Sequence, residues 1–465
     1  MVTQTKKYHL VTYGCQMNKS DSERIEGVLL KLGWEKAEKP EEANLVIINT
    51  CSVRQTAEDR VFGQLNNLFK LKQEKTKMNQ KFLIAVTGCL VGRDKKREFK
   101  RKFPEVDFWF PISELPQLPK MLKEKKELAI PSSGQYLSLK PHLKNNFQAF
   151  VPISTGCSQF CSYCIVPYAR GLEQFRPLKE ILEEINQLAK NGCLEVTLLG
   201  QIVNHYQAPD PENFSPHNPF LKHNHFAALL WEINQIPGLQ WIHFTSPHPL
   251  YLTDEVIEAL TLPKQINYLH LPLQSGDNEI LKRMNRGYTR EFYLNLIKKI
   301  RKRKPTIALG TDIIVGFSGE TKKQFQNTVN LYQQIEFDIA YLAMYSPRPG
   351  TLAYKKFPDD IPHSEKKRRW KVLEQLMEKI TLKKNQKFIG KKVEVLGEEL
   401  LSTNNSLFNI SNSKTLKGQF SYLGHSKEMK QVRFLGPTGL VGKIVKVKIC
   451  EALTWELRGI AQKED

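Results

Sequence analysis

Gly156-Cys157-Ser158-Gln159-Phe160-Cys161-Ser162-Tyr163-Cys164, running on into Ile165-Val166-Pro167-Tyr168-Ala169-Arg170-Gly171, places three thiols within eight residues at C-x3-C-x2-C spacing. Thiols so spaced can wrap one corner of an iron–sulfur cube. A cube has four irons and is normally held by four thiolates, so three ligands leave one iron open to a substrate. A zinc knuckle is the competing reading, but such sites pair two short Cys/His spacings with a fourth ligand, and no fourth Cys or His lies close by. The stretch follows a strand-like run at 149–153. Further runs recur at 195–199, 241–244, 268–271, 308–315 and 339–345, with helical stretches between them such as 178–190, 289–302 and 321–334. Six βα units suit a partial barrel rather than a complete eight-unit one.

The cysteine stretch resembles the signature of the radical S-adenosylmethionine (SAM) superfamily, down to the aromatic Tyr163 before the last thiol. In that superfamily the amino and carboxylate groups of SAM chelate the open iron. An electron from the cluster then breaks the sulfonium bond and releases a 5′-deoxyadenosyl radical. Barrel enzymes place their chemistry after the strand ends. The polar and glycine residues there are Gln201 and Asn204, Ser246-Pro247-His248, Gln274-Ser275-Gly276, Gly316-Phe317-Ser318-Gly319-Glu320 and Ser346-Pro347-Arg348. Gln201, Gln274, Ser275, Asp312 and Arg348 are the candidate SAM contacts. His243, His248 and His270 lie near strand ends, whereas His217, His223 and His225 sit irregularly in a Pro/Asn/His-rich loop read as a solvated insertion.

Upstream, 7–13, 45–48 and 82–86 read as strands of an open parallel α/β sheet, the last two being continuous apolar runs. Ser20-x-x-Glu23 has the capping-box pattern for a helix with Ile25, Leu29 and Leu32 on one face. Cys15, Cys51 and Cys89 each fall just past one of these strands. Ligands of open parallel sheets sit outside the carboxyl ends of the strands, so these thiols form a second candidate cluster site. Downstream of a charged helix at 365–387, runs such as 391–396, 431–434 and 443–449 alternate polar with apolar residues and read as a small antiparallel barrel. The expected divisions are 6–125, a linker at 126–142, a core at 143–382, the small barrel at 383–450 and a C-terminal tail at 451–465.

Lys and Arg number 69 against 48 Asp and Glu, a net charge of +21, which favours polyanionic partners. Basic runs at 95–97, 100–102, 298–304 and 366–369 supply much of it, each read singly as a solvated helix face. No apolar run reaches the 18 or so residues of a membrane helix, so no membrane role is expected. The start of the chain lacks the apolar core of a signal peptide, and a cytoplasmic location with reduced cysteines follows.

These blocks in this order resemble the methylthiotransferase family of radical SAM enzymes. The likeness rests on Tyr13-Gly14-Cys15-Gln16-Met17-Asn18, Asn49-Thr50-Cys51-Ser52-Val53-Arg54, Gly88-Cys89, the cysteine stretch, Leu271-Pro272-Leu273-Gln274-Ser275-Gly276, Thr311-Asp312-Ile313-Ile314-Val315-Gly316-Phe317 and Tyr345-Ser346-Pro347-Arg348-Pro349-Gly350-Thr351. The small C-terminal barrel resembles the family's TRAM domain. Gln16-Met17-Asn18 and the ending Ala452-Leu453-Thr454-Trp455-Glu456-Leu457-Arg458-Gly459 are nearest to the tRNA-modifying branch. Ile202 and Ser318 depart from its usual Asn and Pro. The resemblance implies two 4Fe-4S clusters, held by Cys15, Cys51 and Cys89 and by Cys157, Cys161 and Cys164. It also implies SAM, a flavodoxin- or ferredoxin-like reductant, a sulfur donor and a tRNA substrate methylthiolated at C2 of N6-dimethylallyladenosine beside the anticodon. Alternatives are the same chemistry on a ribosomal protein or on threonylcarbamoyladenosine tRNA, and a non-catalytic iron–sulfur RNA-binding protein.

Overall fold

Five parallel strands open the chain in the order Glu35–Lys36, Lys7–Tyr13, Leu45–Thr50, Leu83–Gly88, Phe108–Trp109. The central strand, Leu45–Thr50, is buried along its whole length, as its unbroken apolar run requires when helices cover both faces of a sheet. The computed structural model describes residues 6–52, 55–123, 136–402 and 420–462. Val53, Arg54 and the Pro131-Ser132-Ser133-Gly134 stretch lie outside the described residues. The first helix runs Gln16–Lys31 and is capped at Cys15, with Asn18 completing the box. Ser20 and Glu23 therefore lie inside the helix and do not open it, because the residues of the cysteine loop supply the cap first. The later part of the expected linker belongs to this sheet's core: Tyr136, Leu137 and Leu139 are buried with Ile25 and Leu29, and His142 donates its backbone N–H to Glu23 O at 2.7 Å.

The core is the expected partial barrel. Gln148–Pro152, Glu195–Leu199 and Trp241–Phe244 form one parallel group. Tyr268–His270, Ala308–Val315 and Ile339–Met344 form the second. A parallel bridge between Ile242 and Gln265, just ahead of Tyr268, links the two groups, and among the described residues no strand pairing closes them into a complete barrel. Along the first three strands, Ala149, Val151, Val196, Leu198, Ile242 and Phe244 pack outward against helices such as Leu178–Lys190 and His225–Gln235. The alternate residues Phe150, Thr197 and His243 line a cavity, as the period of two in a strand dictates.

A closed five-stranded barrel ends the chain, in the order Lys392–Ser402, Phe420–Ser426, Gln431–Gly436, Leu457–Ala461, Ile444–Ala452. Two expectations change here. One neighbouring pair, Gln431–Gly436 with Leu457–Ala461, is parallel, so the barrel is not wholly antiparallel. The segment expected as a tail supplies its fifth strand, since without Leu457–Ala461 the edges at 431–436 and 444–452 would stand open. The barrel plugs the core's open base. Leu396 packs among Phe147, Trp241, Ile266, Tyr268 and Ala308, and Lys430 pairs with Asp338 at 2.9 Å.

The basic run at 366–369 is not a solvated face. Lys367 and Arg368 are exposed, but Lys366 donates to Tyr345 O and Asp359, and Arg369 pairs with Glu320 at 2.7 Å in the interior. Helical spacing turns every third or fourth residue inward, so a four-residue run cannot stay on one face. Among the described residues no helix is long and apolar enough to cross a membrane.

Candidate active site

Strand register brings the N-terminal thiols together. Tyr13 lies opposite Thr50 and Thr50 opposite Gly88, so Cys15, Cys51 and Cys89 leave three neighbouring strands at the same level. Gly14 permits the approach, because a Cβ there would come within 2.9 Å of Cys51 Cβ and 2.2 Å of Asn18 Oδ1. Asn18 and Asn49 clamp the first two loops: Asn18 Nδ2 donates to Asn49 Oδ1 at 3.2 Å, and Asn49 Nδ2 donates to Asn18 O at 2.8 Å. Cys15 is exposed, while Cys51 and Cys89 are buried. Burial pushes the Cys89 thiol up; the adjacent Arg170 guanidinium opposes it.

The core set sits in the loop after the first core strand. Phe160 takes a left-handed backbone (φ 50°) that turns the chain between Cys157 and Cys161. Three neighbours hold this turn: Asn285 Nδ2 donates to Phe160 O at 3.0 Å, Ser162 N to Met284 O at 3.0 Å, and Ala353 N to Ser162 O at 2.7 Å. Burial raises Cys157 to about 11 and Cys164 to about 12, and in both the neighbouring Cys161 adds to the rise. Tyr163 meets Phe317 edge to face at 6.5 Å. Ile202, one of the two departures, packs with Cys157 and Val166 as an apolar wall of this loop. Ser318, the other, uses its carbonyl to accept from Arg283 Nη1 at 3.2 Å.

Each set offers three thiols, and none of the eight cysteines is spent in a disulfide. Among the described residues no three His, Cys, Asp or Glu close around a single ion. A cube, which spreads its thiolates over several irons, asks for wider spacing and for sulfur donors alone. The donor chemistry of both sets fits it. A guanidinium reaches a sulfur in each set: Arg170 Nε donates to Cys89 Sγ at 3.2 Å, and Arg286 Nη1 donates to Cys161 Sγ at 3.3 Å. Cys193 is buried against Glu195 O and Cys450 is exposed, both apart from the two sets.

One seam joins the sets. The short helix Cys89–Arg93, which begins at a candidate ligand, packs on Val166–Arg170, which follows Cys164. A Cβ at Gly92 would lie 1.9 Å from Ala169 O, so only glycine allows this approach. Arg170 crosses the seam to pair with buried Asp21 at 2.7 Å and donates to Tyr136 Oη at 3.1 Å. Farther out, Arg24 meets Glu184 at 3.4 Å, and Arg176 meets the same carboxylate at 2.6 Å.

The candidate SAM contacts separate into groups. Gln274 holds a left-handed backbone (φ 71°), and its N–H donates to Asp312 O at 2.8 Å, so these two sit side by side. Asp312 pairs with His270 Nε2 at 2.9 Å on an accessible face beside the Tyr341 ring. Gln201 is half-buried just beyond its strand. Ser275 is fully buried beside Thr328 Oγ1, and its hydroxyl accepts from Asp277 N. Arg348 lies 3.8 Å from Glu58, itself bonded to Arg93 and Ser52, and therefore belongs to the Cys51 side of the seam. Asn204 braces the His248 backbone with two hydrogen bonds. Burial pushes His248 down to about 2 and His243 to about 4, leaving both neutral. Arg170 stands in the core motif, but its spacing there does not direct it to Cys89. No sequence signal marks Arg286, since its partner sulfur is 125 positions away.

A cavity of about 520 Å³ runs from Gly14, beside the first thiol, past Phe150, Thr197 and His243 to His425 of the small barrel. All three parts of the chain contribute to its wall. At its base, His425 bridges Glu195 at 3.0 Å and Glu398 at 3.2 Å.

Residues 7–111 match the uncharacterized protein family UPF0004, and residues 151–332 match the Radical SAM superfamily. The chain is 42% identical over 468 residues to the tRNA-2-methylthio-N6-dimethylallyladenosine synthase of Dictyoglomus thermophilum, covering 98% of this chain and 99% of that protein. It is also 42% identical over 464 residues to the enzyme of the same name from Carboxydothermus hydrogenoformans, with 98% and 99% covered. Among solved structures, the radical S-adenosylmethionine methyltransferase TsrM from Kitasatospora setae superposes with a TM-score of 0.50 at 15% identity over 73% of each chain, a likeness of fold.

Proposed function

The chain belongs to the family of tRNA-2-methylthio-N6-dimethylallyladenosine synthases, radical SAM enzymes, and from that membership we propose that it methylthiolates C2 of N6-dimethylallyladenosine in tRNA. The observation that carries the reading is the meeting of two three-thiol sets across one seam, with a polar cavity beginning beside the first. The C2–H of adenine is too weakly acidic for a general base and bears no leaving group, so acid–base catalysis offers little. SAM bound at a 4Fe-4S cluster supplies a carbon radical able to remove that hydrogen. In this reading Cys157, Cys161 and Cys164 hold that cluster, and Asn285, Met284 and Ala353 fix their loop. Cys15, Cys51 and Cys89 hold a second cluster that carries the sulfur, with Cys15 on the accessible side. Gln201, Gln274 and Asp312 stand as the candidate contacts for SAM. The target base has to be splayed out of its loop to reach the cavity, as loop RNA permits.

The tRNA backbone is expected to touch the outer wall of the small barrel. Lys446 and Lys448 are exposed there while Val447 and Ile449 point inward, and Lys392 stands directly opposite Lys448. Like charges directly opposite each other on a sheet cost stability, and a polyanion offsets that cost. A flavodoxin- or ferredoxin-like reductant, a sulfur donor and a cytoplasmic location complete the proposal. Mass spectrometry of tRNA nucleosides from a deletion strain tests it: the 2-methylthio form of N6-dimethylallyladenosine should disappear and the unthiolated form accumulate. Unchanged nucleosides, with a ribosomal protein losing a methylthio group, would move the substrate to protein.

A further inference from the structure

The two guanidiniums at the thiols differ in what neutralises them. Arg170 is paired with Asp21 at 2.7 Å, so its charge is balanced within the protein. Arg286 is 5% exposed, and its contacts are Tyr288 Oη at 3.1 Å, which accepts from Nε, and Cys161 Sγ at 3.3 Å. The Tyr288 ring lies 5.4 Å from the guanidinium, and its hydroxyl, which also donates to Leu273 O, keeps the ring in place. Among the described residues no carboxylate forms an ion pair with Arg286. The sulfur it contacts, Cys161, belongs to the core thiol set.

Resting on the cluster assignment above, we propose that Arg286 is the uncompensated cation that raises the reduction potential of the cluster held by Cys157, Cys161 and Cys164, whereas at the other set Arg170 is paired with Asp21 and Arg348 with Glu58, so neither adds a net charge there. Reduction adds one negative charge to a group already held by three thiolates, and a buried cation at one sulfur stabilises the more negative state. Hydrogen bonds to the sulfurs and net local charge are the levers by which a protein sets such potentials. The step itself is the uptake of one electron from an external one-electron reductant, with no bond formed or broken. The asymmetry makes the core cluster easier to reduce than its thiolates alone would allow.

The test is a dithionite titration followed by electron paramagnetic resonance, in full-length protein with Cys15, Cys51 and Cys89 changed to Ala so that only the core cluster remains. Arg286→Gln should shift the midpoint to a more negative potential, and Arg286→Lys should shift it less. If the Gln protein does not load iron, Tyr288→Phe, which unseats the guanidinium while keeping its charge, should also lower the midpoint. A midpoint unchanged from the parent in the loaded Gln protein, or in Tyr288→Phe when Gln does not load, overturns the proposal. In protein with the core thiols changed to Ala, the joint substitution Arg170→Gln with Asp21→Asn, which removes a hydrogen bond to Cys89 Sγ but no net charge, should lower the remaining cluster's midpoint by less than Arg286→Gln lowers that of the core cluster. A fall there as large as that in Arg286→Gln overturns the contrast. Failure of the parent to load iron at the core thiols would instead refute the cluster assignment.

Discussion

Arg170 Nε lies 3.2 Å from Cys89 Sγ, although 81 positions separate them in the chain. The arginine ends the loop that carries the core thiols, and the cysteine begins the helix at the end of an N-terminal strand. A single side chain thus ties one set of thiols directly to the other, alongside the packing of Gly92 on Ala169.

Replacing Arg170 by Ala leaves Asp21 buried without its cation. Breaking a buried pair in this way costs about 3–5 kcal/mol. Urea unfolding should register that loss, and adding Asp21→Asn should recover a good part of it. A loss below about 1 kcal/mol, the scale of an exposed pair, would mean that the pair does not hold the seam.

Gly92→Ala places a methyl 1.9 Å from Ala169 O, with backbone on both sides of the clash. Overpacking of this kind typically costs about 1–3 kcal/mol. SAM cleavage should continue while methylthiolated product falls, since the seam sets the distance between the two reacting centres. Equal losses of both would show instead that the helix serves only the fold.

The clamp at the base of the cavity carries a pH dependence. Burial opposes charge on His425, but Glu195 and Glu398 outweigh it and raise its pKa from 6.5 to about 10; burial likewise opposes charge on the two carboxylates, and the charge on His425 outweighs it and holds both down. Gln148 and the neutral His243 are the other polar neighbours. The His425 contribution is full below about pH 6.5, falls steadily above it and is gone near pH 10. The carboxylates contribute above their ordinary range and lose that contribution on acidification. Thermal melts of His425→Gln between pH 6 and 10 should show a shallower alkaline decline than the parent. Parallel profiles would show that the clamp does not set the alkaline limit.

Lys446 and Lys448 give a test of the RNA face without removing the barrel. Truncation near Lys387 is unsuitable, because it would strip Leu396 from the cluster around Trp241 and Tyr268 and open the cavity. Changing both lysines to Gln should weaken tRNA binding and lower the salt slope by about 2, one for each phosphate no longer neutralised. An unaltered slope would make the barrel a plug alone.

The sheet and the partial barrel were legible because buried parallel strands carry unbroken β-branched runs, and the thiols were legible because they follow those strands. Contacts between distant segments were not. Ser275 has Thr328, 53 positions away, as a neighbour, which its place beside Gln274 does not announce. Arg348 follows the last core strand but points to Glu58, which only the docking of the two parts reveals. The capping box at Ser20 was overtaken by Cys15 and Asn18, where the loop geometry needed for the thiols also starts the helix. Closure of the small barrel required a parallel pair that alternation alone does not specify.

The division of labour between the two thiol sets is tested most directly by product analysis. Two variants are needed, one with Cys15, Cys51 and Cys89 changed to Ala and one with Cys157, Cys161 and Cys164 changed to Ala, each given SAM, dithionite and tRNA bearing N6-dimethylallyladenosine. Each should hold about four irons where the parent holds about eight. The first should release 5′-deoxyadenosine without methylthiolated tRNA, and the second should release none. Methylthiolated tRNA from the first variant, or 5′-deoxyadenosine from the second, would contradict the two-site assignment.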